Sequence, residues 1–287
     1  MLRKKDVENE IFQVDSLHEL VEVYGQIASV RMKKIRDSVL KNREFLTSIN
    51  SIFKDTLDAY SRKLSLFSSG GRKDLTKVTF LAHNGKIVSA FISANTGFYG
   101  DIVQKVFNEF LKDVRLNPEI EVTIVGRLGR NLFLQNEPKR AYTYFDLPDY
   151  GTDKAKLGEV VRHLVQYEEI KVYYGRYKSV ITQTPEVFEI SAGTKIDENL
   201  AKNPETYIFE PSIEEILMFF ETEIFASLFE QSVQESQLAK LASRIVSMDK
   251  ANENIKEWVK DLKFEKLRII HQESGKKQTN MLSSVLY

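Results

Sequence analysis

Near the C-terminus the apolar positions follow a heptad. Leu238, Leu241, Ile245, Met248, Asn252, Ile255, Val259 and Leu262 succeed one another at spacings of 3, 4, 3, 4, 3, 4 and 3. That regularity, held over about three and a half heptads, is the seam of a coiled coil. Asn252 interrupts it with a polar side chain, which fixes register at a cost in stability. The other end of the chain carries a looser match in Val7, Ile11, Val14, His18, Val21, Gly25, Ala28, Met32, Ile35 and Val39. His18, Gly25 and Ala28 stand there where larger apolar side chains pack better. The pattern predicts two long helices, in segments 1–67 and 207–287, that pair antiparallel. A helix of about 55 residues is roughly 80 Å long, so the hairpin is expected to project beyond the rest of the protein.

Between these ends the period changes. Lys77–His83 and Lys86–Ala94 are rich in β-branched and aromatic residues and are joined by Asn84-Gly85, which reads as a β-hairpin. Asp101–Asp113 places Ile102, Val106, Phe110 and Val114 at spacing four and reads as an amphipathic helix. Glu121–Val125 is a short strand leading through Gly126 into a further helix. Asp153–Tyr167 reads as a helix, and Ile170–Tyr174 and Ser179–Ile190 as strands. Such alternation predicts a mixed, partly parallel sheet covered by helices in a central domain, residues 68–206. The expected fold class is therefore α/β, with a long antiparallel coiled coil of the terminal helices.

Glycine and proline support this division. One glycine and no proline fall between Met1 and Phe67, and the only glycine after Pro211 is Gly275. Composition then narrows the function classes. The 287 residues hold 41 Lys+Arg against 41 Asp+Glu and no cysteine. Charge balance argues against a nucleic-acid partner, which usually needs a basic surplus. Without cysteine there are no disulfides, zinc fingers or thiol catalysis. His18, His83, His163 and His271 show no metal-ligand spacing, and neither a spanning apolar run nor a signal peptide is visible. A soluble, cytoplasmic protein is expected. Charge also favours the antiparallel pairing. Residues 6–22 carry Asp6, Glu8, Glu10, Asp15, Glu19 and Glu22 with no Lys or Arg, whereas residues 256–277 carry seven Lys or Arg against four acids.

Two motifs invite a chemical reading. Ala94-Asn95-Thr96-Gly97-Phe98-Tyr99-Gly100-Asp101 links a strand to a helix, as a phosphate cradle does. It lacks both Gly-x-Gly-x-x-Gly and Gly-Lys-Ser/Thr, so a tight turn explains it better. Gly126-Arg127-Leu128-Gly129-Arg130 puts two arginines after a strand and reads as a turn with solvated arginines, with anion binding as the alternative. No nucleophile–base pair or carboxylate dyad stands out.

The order of elements and several residues together resemble the γ subunit of F-type rotary ATPases, the central shaft of the F1 motor. Tyr207-Ile208-Phe209-Glu210-Pro211-Ser212-Ile213-Glu214-Glu215-Ile216-Leu217 is similar to the opening of that family's C-terminal helix. Glu235, Ala242, Arg244, Met248 and Asn254 match a pattern further along it without a gap, and Phe264, Lys266 and Arg268 fit its end loosely. In the first helix Ile11, Val14, Ala28, Arg31, Met32 and Lys34 fall on family positions. The Ala94–Gly100 turn and Gly126-Arg127 resemble family motifs as well.

The resemblance implies a non-catalytic rotor with no cofactor or metal of its own. It would turn within a ring of three α-like and three β-like subunits that bind and hydrolyse or make ATP. It also implies an ε-like partner and a membrane rotor, and hence a place at the periphery of the cytoplasmic membrane. Ile11, Val14, Arg31, Met32, Lys34, Arg244, Met248, Lys266 and Arg268 are the residues expected to make shaft or ring contacts. The chain also departs from the family. Glu19 and Glu22 stand where lysines are usual, Glu8 and Glu10 at basic positions before them, and Lys240 where the family has Glu. The hairpin through Val78–Ala94 looks longer than the family's single strand. These departures suggest a specialised F1-like motor with an altered β partner, of the kind linked in wall-less bacteria to gliding or other surface machinery. The alternative from another class is a small-molecule-binding α/β enzyme with a dimerising coiled-coil arm, resting on the Ala94–Gly100 turn, Arg127 and Arg130.

Overall fold

The computed structural model describes residues 4–67, 84–191, 210 and 212–285. Among the described residues ten elements run in the order α1 (Lys4–Phe67), β1 (Ile87–Ile92), α2 (Ile102–Leu116), β2 (Glu121–Val125), α3 (Arg127–Asn136), β3 (Thr143–Phe145), α4 (Lys154–Leu164), β4 (Glu169–Tyr177), β5 (Gln183–Ser191) and α5 (Ile213–Val285). Of the Tyr207–Leu217 motif, residues 207–209 and 211 lie outside the described residues, and its second half opens α5. Its Ser212 is the N-cap: Glu215 donates its backbone N–H to Ser212 Oγ at 3.2 Å. Serine at the cap with glutamate three residues on suits a helix start, because one satisfies an orphan N–H and the other favours the positive end of the helix.

The chain forms two compact units, Met1–Val30 with Arg244–Tyr287, and Arg31–Ser243. The larger is built on a five-stranded sheet of order β3-β2-β1-β4-β5. β1 pairs in parallel with β2 and β4, β2 in parallel with β3, and β5 closes one edge antiparallel to β4. Period-2 alternation sorts the side chains. Val88, Ala90 and Ile92 face a core shared with α4 and with Phe225, Phe229 and Val233 of α5. Phe91 faces the opposite core, with α2, Val122, Ile124 and Phe133. There Phe91 stacks on Phe110 at 5.3 Å, and Tyr173 meets Phe110 edge-on at 5.6 Å. Each such ring is worth roughly 1.5–3 kcal/mol in burial, so this aromatic cluster is a main support of the sheet. Farther along, Phe53 of α1 meets Phe220 of α5 edge-on at 6.2 Å and packs with Ile213 and Leu217. Asn42 Nδ2 donates to Ser227 O at 3.2 Å, continuing that antiparallel contact.

The smaller unit is a two-helix coiled coil. Val7 and Val14 of α1 cluster with Ile255 and Leu262 of α5, and Ile11, Val21, Val259 and Ile269 pack around them. Low numbers on one helix meet high numbers on the other, as an antiparallel pair requires. Glu8 and Lys266 bridge the helices at 3.0 Å.

One sequence expectation fails. Both edges of β1 are taken by parallel neighbours, so β1 has no free edge for the antiparallel partner expected from Asn84-Gly85. Residues Lys77–His83 lie outside the described residues. The Asn-Gly pair makes a tight turn into β1 instead: Lys86 N–H donates to Asn84 Oδ1 at 2.9 Å and Gly85 takes a φ of 70°. Such a local Asx turn uses the same residues as a hairpin loop, which is why the dipeptide misled.

Candidate functional site

In the larger unit the Ala94–Gly100 turn lies beside Gly126 and α5. The parallel ladder runs on past β1, Ser93 N–H donating to Val125 O at 2.8 Å, and Leu128 N–H then donates to Ala94 O at 2.8 Å. Gly126 has a φ of 98°, and a Cβ there would sit 2.9 Å from the Ala94 backbone, so only glycine fits. The Gly126–Arg130 run is not a turn, since α3 begins at Arg127, but its two arginines are exposed, as expected. Gly129 lies inside α3, where a Cβ would come within 2.6 Å of Ser93 Cβ. Arg127 donates its backbone N–H to Asn95 Oδ1 at 2.8 Å, and Arg130 donates to Tyr142 while lying over the Tyr144 ring.

The protein fills this turn with an anion of its own. Asp149 accepts from the backbone N–H of Asn95 at 2.7 Å, from that of Thr96 at 2.8 Å and from the Thr96 hydroxyl at 2.8 Å. Lys240 of α5 lies 3.8 Å from Asp149 and donates to Ser93 O at 2.6 Å. Burial alone would raise the Asp149 carboxyl, but the Lys240 ammonium and the donors on Asn95 and Thr96 outweigh it and hold it below the usual range. The Asn95 and Thr96 amides, which a phosphate at this turn would use, are thus already taken by Asp149, and the small-molecule-enzyme alternative loses support. Lys240 is 4% exposed, so its amine is buried beside a specific carboxylate. Gln237 of α5 donates to Pro148 O and Gly151 O at 3.0 and 2.9 Å, and Arg31 of α1 lies 5.0 Å over the Tyr150 ring. Both long helices therefore grip the 148–151 loop. Sequence reading noted Lys240 only as a departure and did not find this clamp, because its members are scattered along the chain.

The residues singled out from sequence do not converge on a pocket. In the smaller unit Val14 and Met248 are buried in the seam, and Arg244 is buried with its guanidinium 6.0 Å over the Tyr24 ring. Ile11 and Lys266 are half-buried, and Arg268 is exposed. In the larger unit Arg31 and Lys34 are exposed, Met32 is half-buried, and Leu238 and Leu241 are buried. Ile255 and Leu262 are buried, while Ile245, Asn252 and Val259 are half-buried. Asn252 Oδ1 is enclosed and, among the described residues, has no hydrogen-bond partner. Gly25 leaves ordinary contact room, a Cβ there meeting Met248 Cβ at 3.6 Å.

A feature missed in the sequence lies on the outer face of α1. Phe12, Leu17, Leu20, Val23, Ile27 and Val30 are all exposed, Phe12 to 73% and Leu20 to 58%. Leu20, Val23, Ile27 and Val30 repeat at 3, 4 and 3, a second heptad phase on the side away from the seam. That spacing was the available signal.

Elsewhere burial pushes the Tyr167 and Tyr173 hydroxyls up, and Glu121 and Asp113 beside them add to it. Burial pushes the His163 ring down, with Glu121 opposing. Among the described residues no group of His, Asp and Glu could hold a metal ion, and no helix is long and apolar enough to cross a membrane.

Comparison with known proteins is consistent across sequence and fold. The family model described as ATP synthase matches residues 3–269. The chain is similar to the ATP synthase gamma chain of Ruthia magnifica, at 24% identity with 92% of each chain covered. It is likewise similar to that of Mycoplasmopsis pulmonis, at 25% identity with 90% of this chain and 89% of the other covered. Its fold resembles a chain in the central stalk and c-ring structure of the Tetrahymena thermophila mitochondrial ATP synthase. The TM-score there is 0.57 at 13% identity, covering 81% of this chain and 99% of that one.

Proposed function

The chain belongs to the ATP synthase family as a gamma chain, the central rotor shaft of F1, and from that premise we propose that it works by mechanics and carries no catalytic residue. The paired terminal segments, 1–67 and 207–287, turn inside a ring of three α-like and three β-like subunits. The shaft is then a ligand of the ring: it favours a different conformation in each β-like subunit and shifts their populations in turn as it rotates. Ile11, Val14, Arg31, Met32, Lys34, Arg244, Met248, Lys266 and Arg268 serve as shaft or ring contacts in two ways. Those buried between the helices keep the shaft stiff, and the exposed Lys34 and Arg268 reach the ring. The central domain, 68–206, meets an ε-like subunit and a membrane rotor or other motor machinery, on the cytoplasmic side of the membrane.

One observation carries this reading. Val7 and Val14 close on Ile255 and Leu262 across two helices that belong to the opposite ends of one chain. A coupling shaft also needs its head tied to its stem, and the Lys240–Asp149–Asn95 cluster supplies a tie between α5 and the sheet. Affinity purification of the chain from its own cells, with subunit quantitation and an ATPase assay, tests the proposal. It expects α-like and β-like chains in threefold excess with ATPase activity. A chain that elutes alone or as a homodimer overturns it.

A further inference from the structure

The acidic stretch and the second apolar stripe lie on the same part of α1. Asp15, Glu19 and Glu22, spaced 4 and 3, form a row beside Leu20, Val23, Ile27 and Val30. All three acids are exposed. Among the described residues none of them makes an ion pair, and Glu22 only accepts a 3.4 Å hydrogen bond from Gln26. Glu8, by contrast, is already paired with Lys266. Asp15 lines a groove with Lys256, Lys260 and His18, which leaves Glu19 and Glu22 as the least compensated charges of the row.

Seven large apolar side chains, Tyr24 among them, are exposed within nineteen residues, and such a patch marks a contact surface. The charge beside it decides what covers it. A second copy of this chain would bring like-charged rows together, and an anionic lipid surface would repel them. Resting on the shaft reading above, we propose that the ring surface facing residues 12–30 of α1 is apolar and edged with Lys or Arg. The apolar stripe supplies the burial, and Glu19 and Glu22 set the register and reject acidic surfaces.

The test uses the complex purified from its own cells through a tag on this chain, comparing wild type with Glu19→Gln/Glu22→Gln and Glu19→Lys/Glu22→Lys. The positions are exposed, so the variants leave the seam untouched. Ring subunits retained on the chain are quantified across a NaCl series. In wild type, retention falls with rising salt. At low salt the Lys variant retains about tenfold less ring and the Gln variant lies between. Equal or greater retention by the Lys variant overturns the inference while leaving the shaft reading intact. Loss of ring subunits from the wild-type preparation at every salt concentration overturns the shaft reading and this inference together.

Discussion

Replacing Lys240 by methionine keeps the length of the side chain and removes its charge. The ammonium donates to Ser93 O at 2.6 Å and lies 3.8 Å from Asp149, and both side chains are nearly enclosed. Losing a charge-assisted hydrogen bond costs about 1.5–3 kcal/mol. Orphaning a buried charge costs about 3–5 kcal/mol when nothing else holds it. Asp149 keeps the two amides and the Thr96 hydroxyl, so the sum is expected nearer about 2–4 kcal/mol. Glutamate, the residue the family resemblance places at this position, is expected to be worse. With an effective dielectric constant of about 20, opposite charges 3.8 Å apart attract by about 4 kcal/mol, and Lys240→Glu turns that attraction into repulsion. Asp149→Asn should then relieve Lys240→Glu, where it removes a repulsion, more than Lys240→Met, where it removes only an orphaned charge.

Hydrogen exchange of peptides spanning 93–100 reads the effect directly, because the Asn95 and Thr96 amides are the ones Asp149 accepts from. For Lys240→Met their exchange should quicken about 30- to 1,000-fold, since each 1.4 kcal/mol is tenfold. The same amides report the charge state of Asp149. Its folded pKa lies below the ordinary 3.8, so its contribution is present above that value and is lost as pH falls through the folded pKa. Exchange in Lys240→Met within threefold of wild type, or Lys240→Glu milder than Lys240→Met, would refute the reasoning.

Three other substitutions test other parts of the account. Gly129→Ala should destabilise the larger unit by about 1–3 kcal/mol in urea unfolding, because steric overlap with Ser93 exceeds the gain of up to about 1 kcal/mol in helix propensity. Asn252→Leu should raise the thermal midpoint of the coiled coil, since an enclosed amide oxygen without a partner costs about 1–3 kcal/mol; a lower midpoint would show that the amide is satisfied after all. His163, whose Nε2 lies 3.0 Å from Thr123 Oγ1, has a folded pKa below the ordinary 6.5. The unfolded chain therefore binds more protons just under that value, stability declines as pH falls from 6.5 toward the folded pKa, and His163→Gln should flatten the decline in urea titrations.

Much of the architecture was legible because it rests on local periodicity. The heptad from Leu238 to Leu262 lies within α5, and the alternation in Glu121–Val125 and Ile170–Tyr174 marked β2 and β4. What was not legible depended on contacts distant in sequence. β1 sits in the middle of the sheet because β2 and β4 pair on both its sides, and nothing in Lys86–Ala94 announces that. β3 has three residues, too few to show a period. The Asp149–Lys240 clamp joins residues about ninety positions apart, so its chemistry appears only once α5 packs on the turn. The stripe on α1 was readable in principle from Leu20, Val23, Ile27 and Val30, but the seam of the same helix drew the attention of a single-phase reading.

The central claim is that this chain turns. With the α-like and β-like ring fixed to a surface by its own subunits, a bead attached to an exposed position of the larger unit, such as Ile181 replaced by cysteine in this cysteine-free chain, reports rotation when ATP is added. The account predicts one-way rotation that pauses three times per revolution, once for each β-like subunit. A bead that stays still, or only jitters, while the same complexes hydrolyse ATP would contradict it.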